Sequence, residues 1–306
     1  MENQGLVTRV AVIGAGIMGA GIAQLAATAG YEVAIFDADQ DQLARARRQT
    51  EASLAKLVSK GVINDGVSKA SLDRLHPHGS VGEAAAGADL VIEAVVERLD
   101  VKQAIFAAAA AAAAPQALLA TNTSQLSVTA IGSSVPAATA RVVGLHFFNP
   151  PVLMRLVEIV AGLETSAATI ATAKSFAESL GKQTVICKKD SPGFLTSRIA
   201  AIVRLECMRM LEEGVGTAED IDRALRLGLN FPIGPLELGD RNGHDTFLLA
   251  AESMASTLGE RPIIWRQLGV TSLRGTTPGS CGSRYISRPS ICLIDGSLEL
   301  TGKLID

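Results

Sequence analysis

Two residues with complementary chemistry, His146 and Glu158, lie on either side of a proline pair in the segment LHFFNPPVLMRLVEI, residues 145–159. The apolar, β-prone residues around Pro150-Pro151 predict a strand, a turn and a second strand. Because side chains alternate along a strand, the even separation of the two residues permits both on one face of the hairpin. A carboxylate that holds an imidazole can make a general base near neutral pH. By itself, the spacing is also compatible with an ordinary structural pair.

Polar residues at the end of an earlier strand could join this pair. Leu118–Ala120 predicts a short strand that leads into Thr121-Asn122-Thr123-Ser124, and residues 141–148 predict the next strand. In an open α/β sheet, ligands bind at the carboxyl ends of the strands. Ser124 and His146 are therefore expected at the same edge. Capping of a helix is the alternative role for Ser124.

A glycine motif near the start of the chain predicts a dinucleotide site. An apolar strand over residues 7–13 leads into Gly14-Ala15-Gly16-Ile17-Met18-Gly19 and then into a helix that ends at Gly30. Gly14 permits a tight turn, Gly16 permits close approach of a pyrophosphate, and Gly19 permits close packing of helix on strand. The free N–H groups at the start of the helix face the phosphates.

An acidic residue completes this motif. A second strand over residues 31–36 ends at Asp37. Its carboxylate can accept hydrogen bonds from both ribose hydroxyls and repels a 2′-phosphate, which favours NAD over NADP. Because strand, motif, helix, strand and acid arrive in order, the signal is more specific than the glycines alone.

The segments between these motifs continue the alternation of strands and helices. Asp39 and Gln42 predict a capping box for a helix that runs to Gly61, residues 88–96 predict a buried strand, and residues 99–114 an alanine-rich helix. His76 and His78 are assigned to a polar surface loop. The basic residues of the first of these helices fit either a solvated face or a stripe that binds several phosphates; they are Arg45, Arg48, Lys56 and Lys60, with Ser53 beside them.

The second part of the chain changes to a helical pattern. A helix over 166–180 and a strand over 183–187 complete the sheet, and residues 188–192 form a polar junction that is a candidate hinge. Ser191-Pro192 predicts the start of the next helix. Its apolar stripe is predicted to be Ile199, Val203, Cys207, Met210 and Leu211. Further helices are predicted from Thr217 to Gly228 and over 235–257.

The predicted fold class is therefore α/β: a Rossmann-type doubly wound sheet followed by an all-helical C-terminal domain. The expected domains are residues 1–187, which bind NAD, and residues 188–260, a helical domain that is incomplete. Residues 261–306 are expected to be an atypical tail.

Composition narrows the class of protein. The chain has 306 residues, of which 48% are hydrophobic and 19% charged, and its formal net charge is −3. These values favour a folded globular protein and give no overall attraction to nucleic acid or anionic membranes. No apolar run is long enough for a membrane span, and the N-terminus does not resemble a signal peptide. The four cysteines form no zinc pattern, so reduced thiols, a cytoplasmic location and no metal are expected.

Six motifs, in order, give the chain a family resemblance. They are GAGIMGAGIA (14–23), DLVIEAVVE (89–97), TNTSQLS (121–127), GLHFFNPP (144–151), DSPGF (190–194) and PIGPLEL (232–238). With them, residues 7–261 resemble the short-chain 3-hydroxyacyl-CoA dehydrogenases, including 3-hydroxybutyryl-CoA dehydrogenases. The resemblance implies NAD-dependent oxidation of a 3-hydroxyacyl-CoA in fatty acid or butanoate metabolism, with an acyl-CoA substrate and a homodimer formed through the helical domain.

The resemblance also implies a role for each matching residue. His146 is implied as the base that takes the proton of the 3-hydroxyl, Glu158 as the group that orients it, and Ser124 as a hydrogen-bond partner of the reacting oxygen. Ser197 is implied to complete the polar set on the substrate side. Contacts to NAD are implied for the glycine motif and for Asp37, Glu97, Lys102, Ser124 and Asn149. Contacts to coenzyme A are implied for Ser53 and Lys60, which revives the phosphate-binding interpretation of the basic stripe.

Two departures from the family pattern keep alternatives open. Where the family often has Asn, this chain has Ser197, as do relatives linked to phenylacetate catabolism that act on 3-hydroxyadipyl-CoA. Beyond Arg261, the family's helix and glycine-rich segment are replaced by an unrelated sequence. A shifted reading frame and a lineage-specific extension both explain that replacement.

Three functions follow from these observations. The first is an NAD-dependent 3-hydroxyacyl-CoA dehydrogenase, the second a catalytically impaired relative that still binds NAD, and the third a Rossmann dehydrogenase of small acids without coenzyme A.

Overall fold

The computed structural model describes residues 7–242 and two short strands near the C-terminus, residues 290–294 and 297–301. Contacts divide the chain into two units, residues 1–250 and 251–306. The first unit contains the sheet and the helices. In the second unit, Ser290–Ile294 and Ser297–Thr301 pair as an antiparallel hairpin.

An eight-stranded sheet forms the centre of the first unit. Its strands are β1 (Arg9–Ile13), β2 (Glu32–Phe36), β3 (Leu75–Pro77), β4 (Leu90–Glu93), β5 (Leu118–Thr121), β6 (Val142–Phe147), β7 (Leu156–Ala161) and β8 (Gln183–Cys187). The spatial order is β3-β2-β1-β4-β5-β6-β7-β8. The first six strands are parallel, β7 is antiparallel to β6, and β8 is parallel to β7.

Helices cover both faces of this sheet. They are α1 (Ile17–Thr28), α2 (Gln40–Ser59), α3 (Asp65–Asp73), α4 (Val81–Ala85), α5 (Leu99–Ala112), α6 (Val128–Gly132) and α7 (Ala167–Ser179), with a 3₁₀ helix at Pro136–Arg141. Strands β4, β5 and β6 are buried along their whole length, as expected for parallel strands with helices on both sides. Two apolar cores result, one on each face. The predicted doubly wound sheet is confirmed.

The chain continues after β8 with helices alone. These are α8 (Thr196–Glu212), α9 (Ala218–Gly228) and α10 (Pro235–Asn242). Thr217 caps α9 through a hydrogen bond from the amide of Asp220, 3.1 Å long, as predicted. The predicted continuation of the last helix to residue 257 lies outside the described residues. Within residues 7–242, no helix combines the length and the apolar character needed to cross a membrane.

The start of α8 differs from the prediction. The helix begins at Thr196 and not at Ser191-Pro192. Gly193 and Phe194 have φ values of 74° and 46°, in the left-handed region where a right-handed helix cannot continue. Residues 191–194 therefore form a turn, in which the amide of Phe194 donates to the carbonyl of Ser191.

The predicted apolar stripe of α8 is partly wrong. Its buried residues are Ala201, Arg204, Leu205 and Cys207, whereas Ile199 is 62% exposed. Ile199 therefore lies on the exposed side of α8 and does not join the buried residues. Cys207 is the member of the predicted stripe that is fully buried.

Other local predictions also need correction. The amide of Asp41 donates to Asp39, which caps α2, but Gln42 donates to the carbonyl of Ala15 and forms no reciprocal capping bond. His76 lies in β3 and not in a loop, and its ring contacts Glu32. The predicted strand 88–96 is limited to β4, because the amide of Val95 turns back to the carboxylate of Glu93.

Candidate active site

The glycine motif forms the predicted turn between β1 and α1. Gly14 has a φ of 104°, and its amide donates to the carbonyl of Phe36 at 2.7 Å. A Cβ on Gly19 would lie 1.8 Å from the carbonyl oxygen of Gly14, so the helix and the turn are packed as closely as backbone atoms permit. A Cβ on Gly16 would meet no atom within 4 Å. The open space beside Gly16 fits a phosphate group at the N-terminus of α1.

Asp37 follows β2 and joins the turn. Its Oδ2 accepts the amide of Ala15 at 2.7 Å, and its Oδ1 accepts the amide of Asp39 at 2.9 Å. A carboxylate can accept further hydrogen bonds on its remaining lone pairs. The residues present therefore fit a dinucleotide with free ribose hydroxyls. The other members of the motif are Ile17, which is 64% exposed, and Met18, which packs against the core.

The predicted hairpin brings His146 and Glu158 together. They are direct partners in the pairing of β6 with β7, and Nδ1 of His146 lies 2.7 Å from Oε2 of Glu158. Both residues are buried, with exposures of 4% and 0%. The carboxylate fixes which imidazole nitrogen faces it, and this leaves Nε2 for a substrate.

Phe148, the turn at residues 191–194 and the start of α8 complete the surroundings of this pair. The amide of Thr196 donates to Oε1 of Glu158 at 2.9 Å, so both carboxylate oxygens are bonded. The rings of Phe148 and Phe194 lie 4.6 and 5.7 Å from the imidazole, measured between centroids. Phe194 and Thr196 were not predicted as site residues. The DSPGF motif, residues 190–194, was the sequence signal that could have indicated this part of the site.

The polar end of β5 lies beside a second acidic residue. Oε1 of Glu97 accepts the amide of Ser124 at 3.1 Å and the hydroxyl of Thr123. Ser124 is half-buried and does not cap a helix, because the cap of α6 is Ser127. This arrangement leaves the hydroxyl of Ser124 for a ligand.

Lys102 is buried behind this strand end. Its Nζ lies 2.7 Å from Oε1 of Glu93 and 3.1 Å from Oε2 of Glu97, and the residue is 1% exposed. The structure therefore shows Lys102 as a bridge between two carboxylates. Its contact with NAD stays a prediction. Glu93 is a residue that sequence reasoning missed.

Two more residues connect the strand ends, and neither was predicted. Oδ1 of Asn122 accepts the amide of Phe147 at 2.9 Å, which joins the end of β5 to the residue after His146. Asp190 accepts the hydroxyl of Ser127 at 2.6 Å and the amide of Thr129 at 2.7 Å. The proposed hinge segment is thereby tied to the start of α6.

The remaining predicted site residues form no direct hydrogen bond with His146 or Glu158 within residues 7–242. Asn149 is exposed just after β6, and Ser197 is half-buried in the first turn of α8, next to Thr196. Ser53 is half-buried on α2, and Lys60 is exposed at the C-terminal cap of α2. Within residues 7–242, no hydrogen bond connects Ser53 or Lys60 to His146 or Glu158. Arg45 of the basic stripe is paired with Asp39 at 2.7 Å.

A buried thiol lies close to the pair. Burial raises the pKa of Cys187, and the nearby Glu158 carboxylate acts in the same direction. The thiol donates to the carbonyl of Lys189 at 2.9 Å. Cys187 is therefore a protonated structural group rather than a nucleophile.

Comparison with known proteins assigns the family. Residues 9–191 match the NAD binding domain of 3-hydroxyacyl-CoA dehydrogenase, and residues 193–273 match its C-terminal domain. The second match extends past Arg261, the predicted end of the resemblance.

Individual relatives agree with this assignment. A 3-hydroxyadipyl-CoA dehydrogenase of Escherichia coli is 46% identical over 78% of this chain, and the chain spans 50% of that relative's length. A 3-hydroxybutyryl-CoA dehydrogenase of Bradyrhizobium diazoefficiens is 40% identical over 79% of this chain and 82% of its own. A solved (S)-3-hydroxybutyryl-CoA dehydrogenase from Ralstonia eutropha has a TM-score of 0.80 at 33% identity, covering 86% of this chain and 93% of that one. The chain therefore belongs to the 3-hydroxyacyl-CoA dehydrogenase family and is an NAD-dependent oxidoreductase of that family.

Proposed function

We propose that the chain catalyses the reversible oxidation of (S)-3-hydroxyacyl-CoA to 3-oxoacyl-CoA, with His146 as the general base. The observation that carries this proposal is the bond of 2.7 Å between the buried imidazole of His146 and the carboxylate of Glu158. A base paired in this way has one nitrogen left for the substrate hydroxyl. The open glycine turn at the start of the sheet supports the use of NAD.

Each residue of the site has a separate role in the proposed reaction. Nε2 of His146 takes the proton of the 3-hydroxyl, and the carboxylate of Glu158 stabilises the imidazolium that forms. When bound, NAD would supply the acceptor for the hydride that leaves C3. The hydroxyl of Ser124 donates to the oxygen as it becomes a carbonyl. Phe148 and Phe194 exclude water from the imidazole, which strengthens its interaction with Glu158. Gly14, Gly16, Gly19 and Asp37 would hold the cofactor, and its site would also be lined by Ile17, Met18, Glu97, Lys102 and Asn149.

The substrate's coenzyme A portion is proposed to lie along α2. Ser53 and the exposed Lys60 support this placement, since an exposed lysine can pair with a phosphate. The paired Arg45 is a weaker candidate. A solvated surface is the alternative for the same residues.

A direct assay separates the three candidate functions. We expect NADH oxidation with acetoacetyl-CoA and none with acetoacetate, because the free acid lacks the coenzyme A contacts. Turnover of the free acid would support a dehydrogenase of small acids. NAD binding without turnover of either compound would support the catalytically impaired relative, and both results contradict the proposal.

A second candidate substrate is 3-hydroxyadipyl-CoA. Ser197 favours it, and the E. coli relative that is 46% identical carries that name. The shorter serine leaves more room than asparagine on the substrate side. Comparing kcat/KM for 3-hydroxyadipyl-CoA with kcat/KM for 3-hydroxybutyryl-CoA decides between the two substrates.

The predicted homodimer also remains a proposal. Leu195, Ile199 and Ile202 follow one another at spacings of four and three, so they share one side of the start of α8, and they are 45%, 62% and 47% exposed. A second copy would cover them. Light scattering across a range of concentrations should show a dimer, and a monomer at every concentration would contradict it.

The domain boundaries and the location are proposals of the same kind. The boundary between residues 187 and 188 is supported by the turn at residues 191–194, which precedes the helical part. The boundary between residues 260 and 261 stays a prediction, and the match to the C-terminal domain of the family, residues 193–273, extends across it. A cytoplasmic location is supported by the free thiols of Cys187 and Cys207. Limited proteolysis and cell fractionation test them.

A further inference from the structure

A fully buried carboxylate that the proposed mechanism does not use lies at the end of β4. Glu93 has 0% exposure, and its two oxygens receive three donors. Oε1 accepts the amide of Val95 and Nζ of Lys102, both at 2.7 Å, and Oε2 accepts the hydroxyl of Thr121 at 2.7 Å. The hydroxyl of Thr121 itself accepts the amide of Thr123, so its proton points to Glu93. Both oxygens of Glu93 therefore act as acceptors, and every partner in this set is a donor.

Two further charged residues connect Glu93 to the active site. Lys102 joins Glu93 to Glu97, whose other oxygen holds the amide of Ser124. We name Glu93, Lys102 and Glu97 the acidic triad. It contains two carboxylates and one ammonium group, and its formal charge is therefore −1. Glu97 forms its exposed end, since the side chain is 27% exposed, against 0% for Glu93 and 1% for Lys102.

Glu93 also supports the glycine turn. The segment that it holds through Val95 lies directly against Gly14. A Cβ on Gly14 would be 2.5 Å from the carbonyl oxygen of Ala94 and 3.1 Å from Cγ1 of Val95. In addition, the carbonyl of Glu93 accepts the amide of Asn122, which binds the amide of Phe147 beside His146.

A purely structural role explains these contacts less well. Burying an ion pair gives little net stability, and apolar residues of similar volume often replace one without loss. A triad with a net charge is more costly still, because one charge stays uncompensated in a low dielectric. The triad connects the glycine turn, Ser124 and Asn122, which all lie at the edge where the cofactor binds.

We propose that Glu93 is a positioning residue that fixes Lys102 and Glu97 and gives the nicotinamide side of the site a net negative charge. The oxidised nicotinamide ring carries a positive charge, and the reduced ring is neutral. A fixed negative charge nearby favours the oxidised form, and it acts more strongly than a charge in water because Glu93 and Lys102 are buried. The inference rests on the proposed function, since it requires NAD at this edge.

The experiment compares cofactor affinities rather than activity alone. In Glu93→Gln the shape is kept and the triad becomes neutral. We expect the ratio of the Kd for NAD⁺ to the Kd for NADH to rise by about fivefold or more, as measured by fluorescence and calorimetry. We also expect kcat with acetoacetyl-CoA to fall about tenfold, while KM for the thioester changes less than about threefold, because the triad lies on the cofactor side.

Two controls separate charge from structure. Glu93→Asp keeps the charge and alters the geometry, and Thr121→Val removes one hydrogen bond to Glu93 without changing any charge. Both are expected to keep the wild-type ratio of the two Kd values, even if they unfold at a lower temperature. A shifted ratio in either control would assign the effect to structure and overturn the inference.

A second neutral variant covers the case in which Glu93→Gln does not fold. Glu97→Gln removes the same net charge at the partly exposed end of the triad, and the ratio is expected to rise in the same direction. An unchanged ratio in a folded neutral variant overturns the inference. The proposed function is tested separately by the wild type: it fails if the wild type does not turn over the thioester, whatever the variants show.

Discussion

The geometry of the His146 imidazole is determined by four residues from three parts of the chain. Glu158 holds one nitrogen, the amide of Thr196 holds the other oxygen of Glu158, and two phenyl rings flank the imidazole. Thr196 belongs to the helical part, while His146 and Glu158 belong to the sheet. The base is therefore oriented only when the start of α8 is in place.

Replacing Glu158 tests this orientation. Glu158→Gln keeps the size of the side chain but removes the charge that stabilises the imidazolium. We expect kcat to fall by about 10²–10⁴-fold, with little change in the Kd for NADH, since Glu158 lies away from the glycine turn. A kcat within about threefold of wild type would show that the carboxylate has no part in catalysis.

Alanine substitutions at two glycines of the same motif are expected to have different effects. A Cβ on Gly16 meets no protein atom, whereas a Cβ on Gly19 meets the carbonyl of Gly14 at 1.8 Å. Gly16→Ala should therefore keep the wild-type unfolding temperature and weaken NADH binding by about tenfold or more, because the methyl group occupies the phosphate's space. Gly19→Ala should lower the unfolding temperature itself.

Calorimetry and NADH fluorescence measure both properties of these variants. Unchanged NADH affinity in Gly16→Ala would contradict the assignment of the phosphate site. Wild-type stability in Gly19→Ala would contradict the packing of α1 on β1.

At the level of elements, the sheet depended on patterns that are visible in the sequence. Continuous apolar runs predicted the buried parallel strands, and the even separation of His146 and Glu158 permitted both on one face of the hairpin. The short elements α3, β3, α4 and α6 were not predicted, because a segment of three to nine residues has too little periodicity. The start of α8 was missed because Phe194 adopts a positive φ, which its residue type disfavours.

One side chain connects the first strand to the fourth. Oδ2 of Asp89 accepts the amide and hydroxyl of Thr8 and the amide of Arg9, at 2.8, 2.8 and 2.9 Å. Burial acts to raise the pKa of Asp89, but these hydrogen bonds outweigh it and lower the pKa. A depressed pKa in the folded state gives stability that is present above the unfolded pKa and is lost as the pH falls through the folded pKa.

We therefore predict that Asp89→Asn reduces the free energy of unfolding at neutral pH and that the difference from wild type shrinks below about pH 4. Urea denaturation at several pH values measures this difference. Asp73→Asn, a change at an exposed position, is the matched control and should follow the wild-type curve. A difference that stays constant from neutral to acid pH would show that the charge of Asp89 is not responsible.

At the scale of the whole molecule, the sequence predicted an NAD-binding sheet followed by helices, and the family assignment agrees. Buried ionic contacts such as Glu93–Lys102 could not be predicted, because they join residues whose separation carries no periodic signal. The antiparallel pair of Ser290–Ile294 and Ser297–Thr301 had a sequence signal that was missed, because Asp-Gly between apolar runs is typical of a two-residue turn. Most of the predicted atypical tail, residues 261–306, lies outside the described residues.

The central claim is that His146 is the base of an NAD-dependent 3-hydroxyacyl-CoA dehydrogenase. The most direct measurement is the rate of NADH oxidation with saturating acetoacetyl-CoA in His146→Ala, together with the Kd for NADH. His78→Ala, which changes a histidine outside the site, is the control. We predict a loss of about 10²-fold or more in the rate of His146→Ala, with NADH affinity nearly unchanged and with wild-type behaviour in the control. A wild-type rate in His146→Ala would contradict the central claim.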